Sequence, residues 1–423
     1  MGMRSLFSWL HLRIICDRLR GSYWFLPSLM AAAAAGLSFG MTGLDAALDR
    51  VFYADLAVVN LFGPEGARAI LAAIAGSMIT VAGLTFSITM LTLQVATSQF
   101  GPRLLRNFMR DRGNQAVLGT FIGTFVYCLL VMRTIRGVEG ASFVPHLAVA
   151  VGILLALVSL AVLIYFIHHI ALSIRIETIL SSLAAETEAA IERLYPDRLG
   201  RRPAVGTDRA SPDFAEAHLL RSAGEGYVQA VDGSALVELA RCHGLVVKVV
   251  ARPGSFVTAH DGLLLLLPPV EPAADVAAEL RGTFAIGNER TPDQDLAFSV
   301  RRIVEIAQRA LSPGINDPTT ALYCVDRLRQ AFGRLAGREA PAATRLDDEG
   351  NLRVVAEPAS FDELACDAFA AVMRHVGNNV DVAEALLRAL DHVIGLVGPE
   401  RGRNLAALRF SARRASRSSC VTP

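Results

Sequence analysis

Lysine is almost missing from this chain: Lys248 is the only one, and arginine carries the rest of the positive charge. Genome composition explains that skew more simply than a demand for bidentate anion binding. Excess charge of either sign is missing too. A formal net charge of +1 leaves no global footprint for nucleic acid, so no nucleic-acid partner is expected and any basic site must be local. The six cysteines (Cys16, Cys128, Cys242, Cys324, Cys366 and Cys420) are scattered without CxxC or Cys/His spacing. That argues against a zinc site and a disulfide framework, and favours isolated buried thiols. GxSxG, HExxH, a phosphate loop and a dinucleotide fingerprint are all absent, so neither enzyme activity nor a cofactor is expected. His260-Asp261 reads as a turn.

What is abundant is apolar length. Of the 423 residues, 52% are hydrophobic, and the mean hydropathy is +0.41. A membrane portion is therefore expected. Four runs are long enough to cross a bilayer: Trp24 to Leu44, about Arg68 to Thr97, about Asn114 to Met132, and about Pro145 to Ile170. No Asp, Glu, Lys or Arg lies in the interior of these spans, which weakens any proton-coupled or ion-pair-driven transport and leaves a passive conduit open. Residues 1–23 carry Arg4, Arg13, Arg18 and Arg20 and read as a basic cytoplasmic N-terminus, an anchor and not a removable signal peptide. The 45–67 loop is acidic and the 98–113 loop basic, so both termini are expected in the cytoplasm of a multi-pass protein of the bacterial inner membrane. Glycine pairs four apart, Gly36/Gly40 and Gly119/Gly123, are candidates for close helix contact or chance features of spans rich in small residues.

The second span carries the most pattern. At 100° per residue, Ser77, Thr80, Ser87, Gln94 and Ser98 fall on one arc, with Gly76 and Gly83 at its edge, while Thr85, Thr89 and Thr92 lie on the other side. A helix small and polar on two sides is expected inside a bundle. Its first face either lines a water-filled path or serves as interhelical contact, with the hydroxyls bonding their own helix carbonyls. The span ends in a proline-started turn. Residues 102–112 predict an interfacial helix whose Arg103, Arg106 and Arg110 form a collar opposite Leu104, Leu105, Phe108 and Met109. That collar meets anionic lipid headgroups or docks acidic residues of the cytoplasmic part.

After His168 and His169, which read as interfacial anchors, the helical pattern continues over 171–195. It predicts a single helix of about 50 residues, roughly 75 Å long. Residues 196–222 read as a linker and 223–285 as a small α+β module, a barrel or sandwich with turns at Pro253-Gly254 and Asp261-Gly262. Residues 286–415 predict a helical domain with a hairpin near 344–357, and 416–423 a tail. Its caps are a box at Thr291-Pro292-Asp293-Gln294, then Asp317-Pro318, then Ser360 to Glu363. The expected fold class is thus an α-helical membrane protein of four transmembrane helices with an α+β cytoplasmic C-terminal region.

Two stretches, LQVATSQFGPRLLRNF in the membrane half and ERTPDQDLAFSVRRIVEIAQRALSPGINDPTTA in the C-terminal half, resemble a family of bacterial predicted membrane proteins catalogued as a domain of unknown function. The resemblance covers nearly the whole chain. Ala297 and Ser299 depart from the pattern, where a small turn-tolerant residue or proline, and a glycine, are expected. The resemblance implies membrane helices followed by a soluble region, and no activity, substrate or cofactor. Within the second stretch, Arg290, Asp295, Arg302, Asn316 and Asp317 surround helix N-termini. They form either a small-anion or nucleotide pocket or a capped hairpin that sets packing. Two functions follow from the sequence. One is a homo-oligomeric, channel-like conduit regulated by its cytoplasmic domain; the other is a membrane-anchored ligand sensor or scaffold without transport.

Overall fold

The computed structural model describes residues 23–49, 63–100, 111–136, 143–173, 175–195 and 212–419. The chain divides into two compact units, Met1–Arg175 and Ile176–Pro423.

Unit one holds α1 (Phe25–Asp49), α2 (Pro64–Phe100), α3 (Arg112–Thr134) and α4 (His146–Ser173). All four are long and apolar enough to cross a membrane. At 1.5 Å per residue, the 37-residue α2 is about 55 Å long, well beyond the thickness of a hydrocarbon core. The central helix is α3, which packs on each of the others. A Cβ on Gly119 would lie 2.5 Å from Met30 Sδ and 3.2 Å from Pro27 Cα, and one on Gly123 3.5 Å from Ala34 Cβ. That glycine pair therefore seats α1 on α3. Gly36 and Gly40 face open space, with no close contact among the described residues. The second span, expected inside a bundle, buries one side only among the described residues of this chain, against α3 and α4.

The other corrections in this half concern boundaries. Asp45 lies within α1 and Glu65 within α2, so the acidic loop is shorter than 45–67. Arg112, placed in the interfacial basic helix, opens α3 behind the N-cap Asp111. The collar residues Arg103, Arg106 and Arg110 lie outside the described residues. The expected 50-residue helix is two helices. Arg175 N–H donates to Leu172 O at 3.3 Å, an i→i−3 bond that tightens the last turn of α4, and α5 (Ile176–Leu194) begins immediately after.

Unit two contains α5, β1 (His218–Arg221), β2 (Gly226–Val231), α6 (Gly233–Cys242), β3 (Val246–Val249), β4 (Phe256–Val257), β5 (Gly262–Leu267), α7 (Ala274–Gly282) and β6 (Phe284–Gly287). It continues with α8 (Leu296–Ala310), α9 (Pro318–Ala336), β7 (Thr344–Leu346), β8 (Leu352–Val355), α10 (Phe361–Met373), α11 (Val380–Arg401) and α12 (Arg403–Ser419). One sheet has the order β1-β5-β3-β8-β7 and the other β4-β2-β6. The hairpin β7–β8 belongs to the first sheet, where β8 runs parallel to β3 with Val247 opposite Val354. The sequence division into a 223–285 module and a separate helical domain with its own hairpin is therefore corrected. So is the extent of the linker, since β1 pairs with β5. Alternation along β3 and β5 puts Val247, Leu264 and Leu266 into a core with Leu236, Leu280 and Val354. The helices form a second core, in which Phe332 meets Phe361 edge-to-face at 6.0 Å and Phe369 at a tilt at 5.5 Å. Helix α12 reaches Ser419, into what reads from sequence as tail.

The three caps fare differently. Asp317 caps α9, accepting from Thr320 N–H. Ser360 holds the N-cap position of α10 without a side-chain bond. The box at Thr291 is corrected: α8 starts at Leu296, capped by Asp295. Gln294 instead mimics a strand edge, its Oε1 accepting from Val231 N–H (2.9 Å) and its Nε2 donating to Val231 O (3.1 Å).

Candidate functional site

Along α2 the buried residues form one face. Ala75, Ala82, Thr85, Thr89, Thr92 and Ala96 are all buried. The candidate lining residues Ser77, Thr80, Ser87, Gln94 and Ser98 are all exposed. At 100° per residue the two faces are centred about 180° apart. Four hydroxyls satisfy their donors on their own helix: Ser77 on Ile74 O (2.9 Å), Thr80 on Gly76 O (2.9 Å), Ser87 on Gly83 O (2.9 Å) and Ser98 on Val95 O (2.8 Å). Such self-bonding lowers the cost of a hydroxyl in an apolar setting. The Gln94 amide has no partner among the described residues, and two donors with an acceptor cannot be left in hydrocarbon cheaply.

Polar groups at the bundle ends hold the helices to one another, and sequence reasoning passes over them. Asp45 accepts from Leu147 N–H (3.1 Å) and Ala148 N–H (2.8 Å) at the first turn of α4. Arg68 Nη2 donates to Ile135 O (2.6 Å), beyond the last turn of α3. A carboxylate thus meets a helix N-terminus and a guanidinium a helix C-terminus, as the helix dipoles favour. Asp111 serves two elements. One oxygen accepts from Gly113 N–H (2.8 Å) and the other lies 2.7 Å from His169 Nε2. Tyr165 stacks on the imidazole at 5.3 Å. A Cβ on Gly113 would sit 3.0 Å from His169 Nε2, so a larger residue there would press on the imidazole. The interfacial histidine is therefore more specifically held than an anchor requires. The signal that would have found these groups is charge at a span edge, which sequence reading assigns to loops.

In unit two the predicted pocket residues go to separate partners. Arg290 clamps Asp295, with Nη2 and Nε at 2.6 and 2.8 Å from Oδ2, and its guanidinium lies over the Phe298 ring. Asp295 Oδ1 accepts from Phe298 N–H. Gly254 turns against this pair at φ 92°, where a Cβ would collide with the Asp295 carboxylate. Arg302, buried, reaches α5 through Nη1 to Glu186 Oε2 at 2.7 Å. Asn316 adopts φ 46°, and Asp317 N–H donates to Ala310 O at 2.8 Å, closing the turn between α8 and α9. Asp295 and Arg302 do not act together, despite their spacing. Their partners are those of a packed joint.

Elsewhere the single lysine has a plain use: Lys248 Nζ lies 3.0 Å from Glu357 Oε1, with Arg252 at 3.1 Å from the other oxygen. The Lys248 hydrogen bond holds the Glu357 carboxyl below its usual range. In the β7–β8 hairpin, Asp347 accepts from Arg353 Nε (2.7 Å) and Asn351 N–H (2.8 Å). Chiefly the arginine bond pulls its pKa down to about 2. His260-Asp261 is a turn as expected, the carboxylate accepting from Thr258 N–H at 2.7 Å.

Comparison with known proteins gives a single description. The family described as "Predicted membrane protein (DUF2254)" matches residues 20–392. The "Uncharacterized protein Rv1290c" of Mycobacterium tuberculosis is 35% identical over 400 residues, covering 92% of this chain and 75% of that protein. The "Uncharacterized protein Mb1321c" of Mycobacterium bovis matches to the same extent. No solved structure matches.

Proposed function

The chain belongs to the DUF2254 family of predicted membrane proteins, and from that premise we propose an oligomeric, channel-like conduit of the bacterial inner membrane, regulated by its C-terminal unit. The observation that carries the proposal is the exposed face of α2. Ser77, Thr80, Ser87, Gln94 and Ser98 lie opposite the side that packs on the bundle. Lipid is a poor neighbour for the Gln94 amide, since hydrocarbon offers it no hydrogen bond. Water in a passage between copies satisfies it, and the self-bonded hydroxyls keep free lone pairs for solute or water.

In this reading both termini are cytoplasmic, which the distribution of arginine supports. The arginines at 103, 106 and 110 meet anionic headgroups. The protein is not an enzyme and uses no cofactor. The test is flux of ions and small solutes through full-length protein in liposomes under osmotic, voltage and ligand challenge, and protein that passes nothing refutes the reading.

A specific feature favours the second reading, a membrane-anchored sensor. A groove of about 880 Å³ runs beside α9 and is lined by Tyr323, Arg327, Arg329, Arg334 and His392 among others. Glu177 and Asp326 line it too, Arg329 pairs with Asp326 and Arg334 with Glu188, so the groove is mixed in charge, and Arg327 beside Tyr323 is the group that an anionic ligand would meet. Anionic metabolites that raise the unfolding temperature of the full chain, with Arg327→Ala abolishing the effect, support it. A panel without effect removes it.

A further inference from the structure

The exposed side of α2 has a period as well as a polarity. Ser77, Leu84, Leu91 and Ser98 stand seven residues apart, and Thr80, Ser87 and Gln94 form a second column three residues on. All are exposed, Leu84 at 58% and Leu91 at 62%. Together they repeat with a mean spacing of 3.5 residues, the a and d pattern of helices that wind about one another. On a straight helix such columns drift by about 20° per heptad, and only a left-handed supercoil keeps them facing one partner. The pattern extends over 77 to 98, which at 1.5 Å per residue is about 32 Å, the depth of a hydrocarbon core.

The composition selects the partner. A Gln94 amide both donates and accepts, so the same residue of another copy at the same depth can satisfy it. Gly76 and Gly83 flank the seam and let backbones approach. Lipid satisfies none of these features, and an unrelated helix would have to match them by coincidence. The buried face repeats at seven as well, through Ala75, Ala82, Thr89 and Ala96. One supercoiled α2 therefore holds its own bundle on one side and presents the seam on the other.

We propose that α2 helices from several copies of this chain pack in parallel along the seam in a left-handed supercoil, and that rings of Leu84 and Leu91 form the water-excluding constrictions of the passage between them. Parallel packing follows because every copy crosses the membrane with the same topology. Above and below the leucines the lining is Ser77, Thr80, Gln94 and Ser98, with Ser87 between the two rings. Apolar rings in an otherwise polar passage close it by dewetting, without a moving plug. The constriction rests on the conduit reading above; the seam does not.

Cysteine cross-linking of the full-length chain in its own membranes tests the seam, with the unsubstituted chain as control for native cysteines. Ser77→Cys, Leu84→Cys, Ser87→Cys and Leu91→Cys are expected to give disulfide-linked dimers on mild oxidation. Ala72→Cys and Ile79→Cys, exposed but off the seam, are expected to give none beyond control. Equal cross-linking at all six positions, or none at the seam, overturns the proposal. Flux in liposomes tests the constriction separately: Leu84→Ser and Leu91→Ser are expected to raise it several-fold. Cross-linking confined to the seam, with flux present but unchanged by Leu84→Ser and Leu91→Ser, keeps the oligomer and the conduit and overturns the leucine constriction; no flux in any form overturns the conduit and the constriction with it and leaves the seam.

Discussion

Asp45 in α1 holds the backbone N–H of Ala148, at the first turn of α4, in a 2.8 Å hydrogen bond, and its second oxygen holds that of Leu147 at 3.1 Å. The carboxylate is buried, so its loss leaves two N–H groups of a helix end unpaired. Asp45→Ala is expected to lower the stability of the detergent-solubilised protein by about 1–3 kcal/mol, read as a fall in unfolding temperature. Asp45→Asn, which keeps an acceptor, loses less. Equal losses in the two variants contradict the capping role.

Arg302 is the corresponding tie in unit two. Replacing it by Ala leaves Glu186 of α5 without its guanidinium. Glu186 keeps 31% of its surface in solvent, so the cost is below that of a fully buried pair, about 1–3 kcal/mol. Hydrogen exchange should show faster opening of α5 amides in Arg302→Ala, and unchanged α5 protection argues against the joint.

Ser299 predicts a gain. It is buried in α8 and its hydroxyl has no hydrogen-bond partner among the described residues, at a position where the family resemblance leads one to expect glycine. Ser299→Ala removes the unpaired group and improves helix propensity, and is expected to stabilise by about 1 kcal/mol. A lower unfolding temperature in that variant contradicts the assignment.

The Asp347 hairpin carries a pH signature. The carboxyl titrates near 3.8 ordinarily and at about 2 here, so the native state favours its charged form. The stabilisation is complete above the unfolded value and is lost as pH falls through the folded one. The stability difference between wild type and Asp347→Asn should therefore be constant from neutral pH down to about 5 and shrink from there toward pH 2. A pH-independent difference contradicts the linkage.

Sequence reading succeeded where one residue's environment is local. The apolar runs define α1 to α4, and Asp317-Pro318 starts α9, because spans and caps are decided within a few residues. It failed where a distant segment decides. Thr291 offers a good cap, yet Arg290 and Gly254 make Asp295 the better one. The 344–357 hairpin carries no mark of its parallel partner β3. The apolar pattern before Ser173 resumes after Ile176 and carries no mark of where α4 ends and α5 begins. For the candidate site the polar arc of α2 was legible as an arc. That it faces away from the bundle was not, because the choice belongs to the residues of α3 and α4 that pack on Ala75 and Ala82, far away in sequence.

The central claim is that this exposed face borders water. Solute flux through liposomes containing full-length protein, compared with Ser87→Leu and Gln94→Leu variants of equal thermal stability, tests it most directly. The account predicts measurable flux in the wild type and its loss in both variants. Flux equal in all three, or absent from the wild type under osmotic, voltage and ligand challenge, contradicts it.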